Sequence, residues 1–151
     1  MSLVSSPQKK LGFTIIELIV VILIAGILSV SIIPRFFNTE TYKNRLATDE
    51  LLAALRYSQQ VAMNRGGDIQ LVLSANNFTV QISGGGNLRS PDGHIPYTKT
   101  FPNNITATAA TINFNALGQP VNNTAIVISN NILLSIGTSN ITVEANTGYA
   151  H

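Results

Sequence analysis

The sequence predicts an α+β chain: a long amino-terminal helix, hydrophobic in its first half and amphipathic in its second, packed on a carboxy-terminal antiparallel β-sheet domain. Three observations predict it. A nearly uncharged apolar run fills Phe13 to Ile33, and a stretch rich in helix formers follows from Thr39 to Arg65. After Gly67 the chain becomes short β-branched runs separated by Asn, Gly, Pro and Ser. The 151 residues are few for two domains but enough for one modest core beside a membrane segment.

The apolar run has the length of a membrane span. About 21 residues at about 1.5 Å rise each give a helix of roughly 30 Å, the thickness of a bilayer core. Lys9 and Lys10 precede it, so the positive-inside bias holds that end in the cytoplasm and places the domain after residue 35 outside it. A secretory signal peptide cut near Ser29-Val30-Ser31 is the alternative. Such peptides have an apolar region of about 7 to 15 residues and no reason to hold an acid at its start. Glu17 is that acid. A central carboxylate costs about 2.5 to 3.5 kcal/mol to insert, and a position near one end lowers that cost without removing it.

Pro34 lacks an N–H and breaks the helical bond to Val30. The pattern on both sides stays helical, so a kink or local opening is expected there, and Gly26 is the other weak helix former in the span. The helix then resumes, for roughly 50 residues in all, at 3.6 residues per turn. In its second half Leu51, Ala54, Leu55, Ser58 and Ala62 share one face, which Leu46, Ala53, Tyr57 and Val61 widen. Tyr57 and Met63 read as core residues, not as part of a cofactor box. Gly66-Gly67 ends the helix as a C-cap.

Strands are expected at Ile69–Leu73, Phe78–Ile82, Tyr97–Phe101, Thr111–Phe114, Ala125–Ser129, Ile132–Ile136 and Ile141–Glu144. Asn76-Asn77 and Asn130-Asn131 read as tight hairpin turns, because Asn tolerates left-handed backbone. Ser83 to Pro96 is one long loop, mobile or a contact surface.

Charge and composition exclude several function classes. From Phe13 onward the chain has seven basic and seven acidic groups, so the folded part lacks the clustered excess of Lys and Arg that phosphate neutralisation needs, and nucleic acid is an unlikely partner. With no cysteine there is no disulfide framework and no cysteine-ligated metal or iron–sulfur site. His94 and His151 have no zinc-ligand spacing and read as solvated residues, so no metal, cofactor or catalytic constellation is assigned. Gly84-Gly85-Gly86 lacks the Lys and Ser/Thr of a phosphate loop and reads as a turn. Asp49-Glu50 reads as a solvated helix face, with pairing to Lys43 or Arg45 of a neighbouring subunit as the alternative. The Asn-x-Thr triplets at Asn77, Asn104, Asn122 and Asn140 are explained by Asn-rich turns without glycan.

The string Lys9-Lys10-Leu11-Gly12-Phe13-Thr14-Ile15-Ile16-Glu17-Leu18 resembles the processing site of type IV prepilins and type II secretion pseudopilins. The resemblance implies a leader of residues 1–12, cut by a membrane aspartyl prepilin peptidase between Gly12 and Phe13, and N-methylation of Phe13. It puts Glu17 at the family's acidic fifth mature position, and Gly26 and Pro34 where many members carry Gly and Pro. It divides the rest into a transmembrane or filament-core helix (13–35), an amphipathic helix half (36–66) and a β-rich globular domain (67–151), a type IV pilin-like fold. The segments "RLATDELLAALRYSQQVAMNRG", "INFNALGQPV" and "ITVEANTGYAH" are most similar to minor pseudopilins of the H type and related minor or MSHA-type pilins. The chain lacks the paired cysteines of many major pilins and the calcium-loop signature of the major pseudopilin. It ends in Thr147-Gly148-Tyr149-Ala150-His151, where DNA-uptake minor pilins carry a short Arg-bearing motif.

On this resemblance Glu17 acquires a use. When subunits stack through their apolar helices, the Glu17 carboxylate of one meets the Phe13 amine of a neighbour, and each charge satisfies the other in a low dielectric. The alternative is that Glu17 snorkels or caps its own helix start against the dipole. The expected function is a structural subunit of a type IV pilus or type II secretion pseudopilus, with a lean toward a minor pilin. Its expected partners are other pilin or pseudopilin subunits, the prepilin peptidase, an inner-membrane assembly platform and membrane lipid. The alternative is a tip-located module that binds DNA or a secreted substrate. An exported hydrolase would need a nucleophile and base that two isolated histidines do not supply.

Overall fold

A computed structural model describes residues 12–32 and 39–151. Pro34, and the kink or opening expected there, lie outside the described residues, as do Lys9 and Lys10. The chain divides into two units, Met1–Thr39 and Glu40–His151.

In the first unit the described element is helix α1, Ile15–Ile32. It runs unbroken through Gly26, and every side chain from Phe13 to Leu28 is exposed. A helix apolar all round has no stable place in water and belongs in lipid or in a protein core. Among the described residues no helix is long and apolar enough to cross a membrane. The 18 residues of α1 reach roughly 27 Å, a little short of a bilayer core of about 30 Å.

In the second unit helix α2, Thr39–Arg65, buries Asn44, Ala47, Leu51, Ala54, Leu55, Ser58 and Ala62. The expected face is therefore present and extends further toward the amino terminus through Asn44 and Ala47. Leu46 and Ala53, expected to widen that face, and Met63, expected in the core, are instead exposed, while Tyr57 and Val61 pack partly buried against the core. The helix ends as expected: the Gly67 N–H reaches back to the Ala62 carbonyl at 2.7 Å, with Gly66 and Gly67 both at positive φ.

The sheet contains β1 (Ile69–Leu73), β2 (Asn77–Ile82), β3 (Gly86–Asn87), β4 (Tyr97–Thr100), β5 (Ala110–Phe114) and β6 (Pro120–Val121). All pairings are antiparallel, in the order β3-β2-β1-β5-β6, with β4 on the other end of β2. A separate hairpin joins β7 (Ile132–Ile136) and β8 (Ser139–Val143). Alternation with period two sends Ile69, Leu71, Leu73, Phe78, Val80, Ile112 and Phe114 to one face. That face meets the buried face of α2 and Leu134, Ile136, Ile141 and Val143 of the hairpin in a single core.

Two expectations are corrected. Ala125–Ser129 is not a strand: it makes one isolated bridge, Val121 to Val127. The side chain of Asn122 wins over β-propensity there, accepting the N–H groups of Thr124 (3.0 Å) and Ile126 (2.9 Å) and curling the segment into a turn. Asn130-Asn131 consequently joins no hairpin, and Asn131 instead accepts the Ala145 N–H at 3.1 Å. The turn at Asn76-Asn77 is present, closed by the Ser74 N–H on the Asn77 carbonyl at 2.8 Å.

Candidate functional site

Gly12 and Phe13 lie just before α1, exposed and outside any regular element. Thr14 caps the helix. Its Oγ1 accepts the Glu17 N–H at 3.2 Å, and its carbonyl accepts the Leu18 N–H at 3.2 Å. Thr14-Ile15-Ile16-Glu17 is the Thr-x-x-Glu pattern of a capping box, a signal available in the sequence and overlooked in reading it. Glu17 thus occupies the first turn, where the exposed N–H groups favour a negative charge. Helix-start stabilisation and an intersubunit contact are compatible roles for one carboxylate. A Cβ added at Gly26 would meet nothing within 4 Å, so no packing among the described residues calls for glycine there.

The long loop of the second unit is folded around one buried hydroxyl. Ser90, 4% exposed, donates to the Asp92 carboxylate and accepts the His94 N–H at 2.9 Å, while its own N–H bonds the His94 carbonyl at 2.8 Å. Lys99 reaches Asp92 at 3.1 Å. The hydrogen bond from Ser90, and then that from Lys99, hold the Asp92 carboxyl down to about 2. Leu88 is buried, and Tyr57 donates to the Arg89 carbonyl at 2.7 Å, tying the loop to α2. Burial, followed by the nearby Asp92 charge, pushes the Tyr97 hydroxyl above its usual range.

The carboxy-terminal segment is likewise held on α2. Thr142 and His151 exchange two backbone hydrogen bonds (2.8 and 3.0 Å), and the Glu144 N–H reaches the Tyr149 carbonyl at 2.9 Å. Arg56 donates twice to the Ala150 carbonyl (3.3 and 3.2 Å), and Gln59 donates to the Thr147 and Gly118 carbonyls (2.6 and 3.1 Å). Sequence reasoning gave Arg56 and Gln59 no role, because polar residues on a helix read as solvated until a distant segment is seen to need donors. His151 stacks on Tyr149 at 5.5 Å and lies 3.9 Å from Glu144, while His94 is exposed in the loop. Among the described residues no three His, Cys, Asp or Glu side chains gather as metal ligands. Lys43 pairs with Glu40 of its own helix at 3.0 Å.

These two features, an acid-bearing apolar helix start and an α2-backed sheet domain, coincide with two family matches. The model described as Prokaryotic N-terminal methylation motif matches residues 7–33, covering Gly12, Phe13, Glu17 and Gly26. The model described as Type II transport protein GspH matches residues 47–148, from the buried face of α2 to the carboxy-terminal segment. No curated protein and no solved structure matches the chain. The GspH family is one of structural pseudopilins that associate with other pseudopilins of the type II secretion system. The methylation motif marks a prepilin-type, membrane-anchored protein. The chain belongs to the type II transport protein GspH family, with the amino-terminal methylation motif of a prepilin-like protein.

Proposed function

We propose that this protein is a non-enzymatic filament subunit of a type II secretion pseudopilus or a related pilus, matured by a prepilin peptidase. Scission falls between Gly12 and Phe13, and Phe13 is N-methylated. The helix from residue 13 to about 35 anchors the subunit once in the inner membrane, its globular domain outside the cytoplasm. It passes to the filament through an assembly platform, where the Glu17 carboxylate receives a neighbour's Phe13 amine. Gly26 and Pro34 are the positions at which the helix yields during packing, since both are weak helix formers.

The observation that carries the reading is a helix exposed on every side from Ile15 to Leu28, with its one acid in the first turn and a glycine just before the start. Such a surface calls for lipid first and other helices afterwards. The test is mass spectrometry of membrane-extracted protein from cells with a working peptidase. The reading expects an amino-terminal N-methyl-Phe13, and accumulation of uncut precursor in Gly12→Val. An intact Met1 in the unaltered chain overturns it.

A further inference from the structure

Between α2 and the start of β4 lies a cleft of about 220 Å³, lined by Glu50, Ala53, Phe78, Pro91, Asp92, Tyr97 and Lys99. Its walls are apolar and its charge is negative. Asp92 and Lys99 neutralise each other at 3.1 Å, which leaves Glu50, partly buried and without an ion pair or hydrogen bond to any described residue, as the uncompensated charge among the cleft's lining residues. Tyr97 is 6% exposed, and its ring is fixed by edge contacts with Tyr57 (5.5 Å) and Phe78 (5.8 Å). Its hydroxyl nevertheless makes no hydrogen bond among the described residues. No fully buried side-chain polar atom among the described residues lacks one, so this hydroxyl reaches solvent by way of the cleft.

A solvent-reaching hydroxyl on a fixed ring, a lone carboxylate and an aromatic wall form a receptor for a cation on an apolar stem. We propose that this cleft accepts an arginine side chain from a second copy of the chain. The stem would lie along Ala53 and Pro91, and the guanidinium would donate to Glu50 and to the Tyr97 oxygen. The chain supplies matching groups: Arg45, Arg65 and Arg89 are exposed and form no side-chain ion pair or hydrogen bond among the described residues. The proposal rests on the filament-subunit reading for its partner, but the cleft's chemistry is tested without a filament.

The first arm titrates the full chain in detergent micelles with N-acetyl-arginine amide, at low ionic strength, following Tyr97 and Glu50 by NMR. Saturable shifts at both residues are expected, with none from N-acetyl-leucine amide. Glu50→Gln should weaken binding about tenfold, the usual effect of removing the charge from one hydrogen bond. Tyr97→Phe, which keeps the ring, should weaken it about threefold. Lys99→Ala frees the Asp92 charge and should tighten binding. An unshifted Tyr97, or weaker binding by Lys99→Ala, overturns the cation assignment. The second arm uses the absence of cysteine: Glu50→Cys is coexpressed with Arg45→Cys, Arg65→Cys or Arg89→Cys in cells that carry the assembly machinery. A disulfide-linked dimer from one of the three is expected, and its absence from all three, with processed subunit present, overturns the second-copy assignment.

Discussion

Asn44 is a buried polar residue that fastens the start of α2 to the far end of the hairpin, and its removal gives the most quantitative test of the packing. It is 6% exposed; Nδ2 donates to Ser139 Oγ at 2.7 Å, and Oδ1 accepts the Thr138 N–H at 3.0 Å. Each bond contributes about 0.5 to 1.5 kcal/mol, and leaving the partly buried Thr138 N–H unpaired adds about 1 kcal/mol more. Asn44→Ala should therefore destabilise the domain by about 2 to 4 kcal/mol. Ser139→Ala alone should lose about 1 kcal/mol, and the double variant should show a coupling of about 1 kcal/mol, because the two side chains are in contact. Gly137 sharpens the test. At φ 53° an added Cβ would lie 1.8 Å from Asn44 Oδ1, so Gly137→Ala should be more damaging than Ser139→Ala. Asn44→Ala should partly rescue it by removing the clash, leaving a left-handed backbone cost of about 1 to 2 kcal/mol. The assay is urea unfolding of the full chain in detergent, followed by near-ultraviolet circular dichroism of the tyrosines, with the slope checked for constancy. An Asn44→Ala variant within about 0.5 kcal/mol of the parent, well below the sum of the lost bonds, or strict additivity with Ser139→Ala, would refute the reasoning.

Two further outcomes follow from the same geometry. Ser58 is fully buried, and its hydroxyl bonds the Ala54 carbonyl at 2.7 Å, already a helix acceptor; Ser58→Ala removes donor and desolvation together and should change unfolding free energy by no more than about 0.5 kcal/mol. The folded-state pKa of Asp92 is depressed to about 2, so its stabilisation of the 83–96 loop is complete above the unfolded value of about 3.9 and lost as pH falls through the folded one. Protection of the loop amides, after correction for intrinsic exchange, should therefore fall from about pH 4 to about pH 2, and Asp92→Asn should flatten that dependence. An unchanged profile in Asp92→Asn would show that Ser90 and Lys99 do not set the loop's acid response.

Legibility in the sequence followed how local the deciding force was. Ile69–Leu73 and Ile132–Ile136 were readable to the residue because each is a short apolar, Ile-bearing run set off by turn residues, and the five-residue face of α2 because apolar spacing sets it. Ala125–Ser129 misled because one side chain, Asn122, spends its carbonyl on two backbone donors. The short β3 at Gly86–Asn87 gave no signal, since glycine has no β-propensity and its pairing with Gln81 and Ile82 is imposed by β2. Asn44 and Ser90 were overlooked for a related reason: a polar residue reads as exposed until its partners, Ser139 or His94, are brought to it by the fold. Of the amino-terminal residues, Glu17 was legible as costly and Thr14 was missed, although the capping pattern was present.

The central claim is that Glu17 is kept in the apolar helix for assembly, and incorporation of Glu17→Ala measures it directly. The processed subunit is quantified in membranes and in sheared or purified filaments. Removing the charge makes insertion easier, so the account predicts membrane levels and cleavage at least equal to the unaltered chain. Filament incorporation should nevertheless fall by at least tenfold, because stripping one member of a desolvated pair costs about 3 to 5 kcal/mol; Glu17→Gln should recover only part of it. Normal incorporation of the alanine variant would contradict the account and leave Glu17 as a feature of the helix start capped by Thr14.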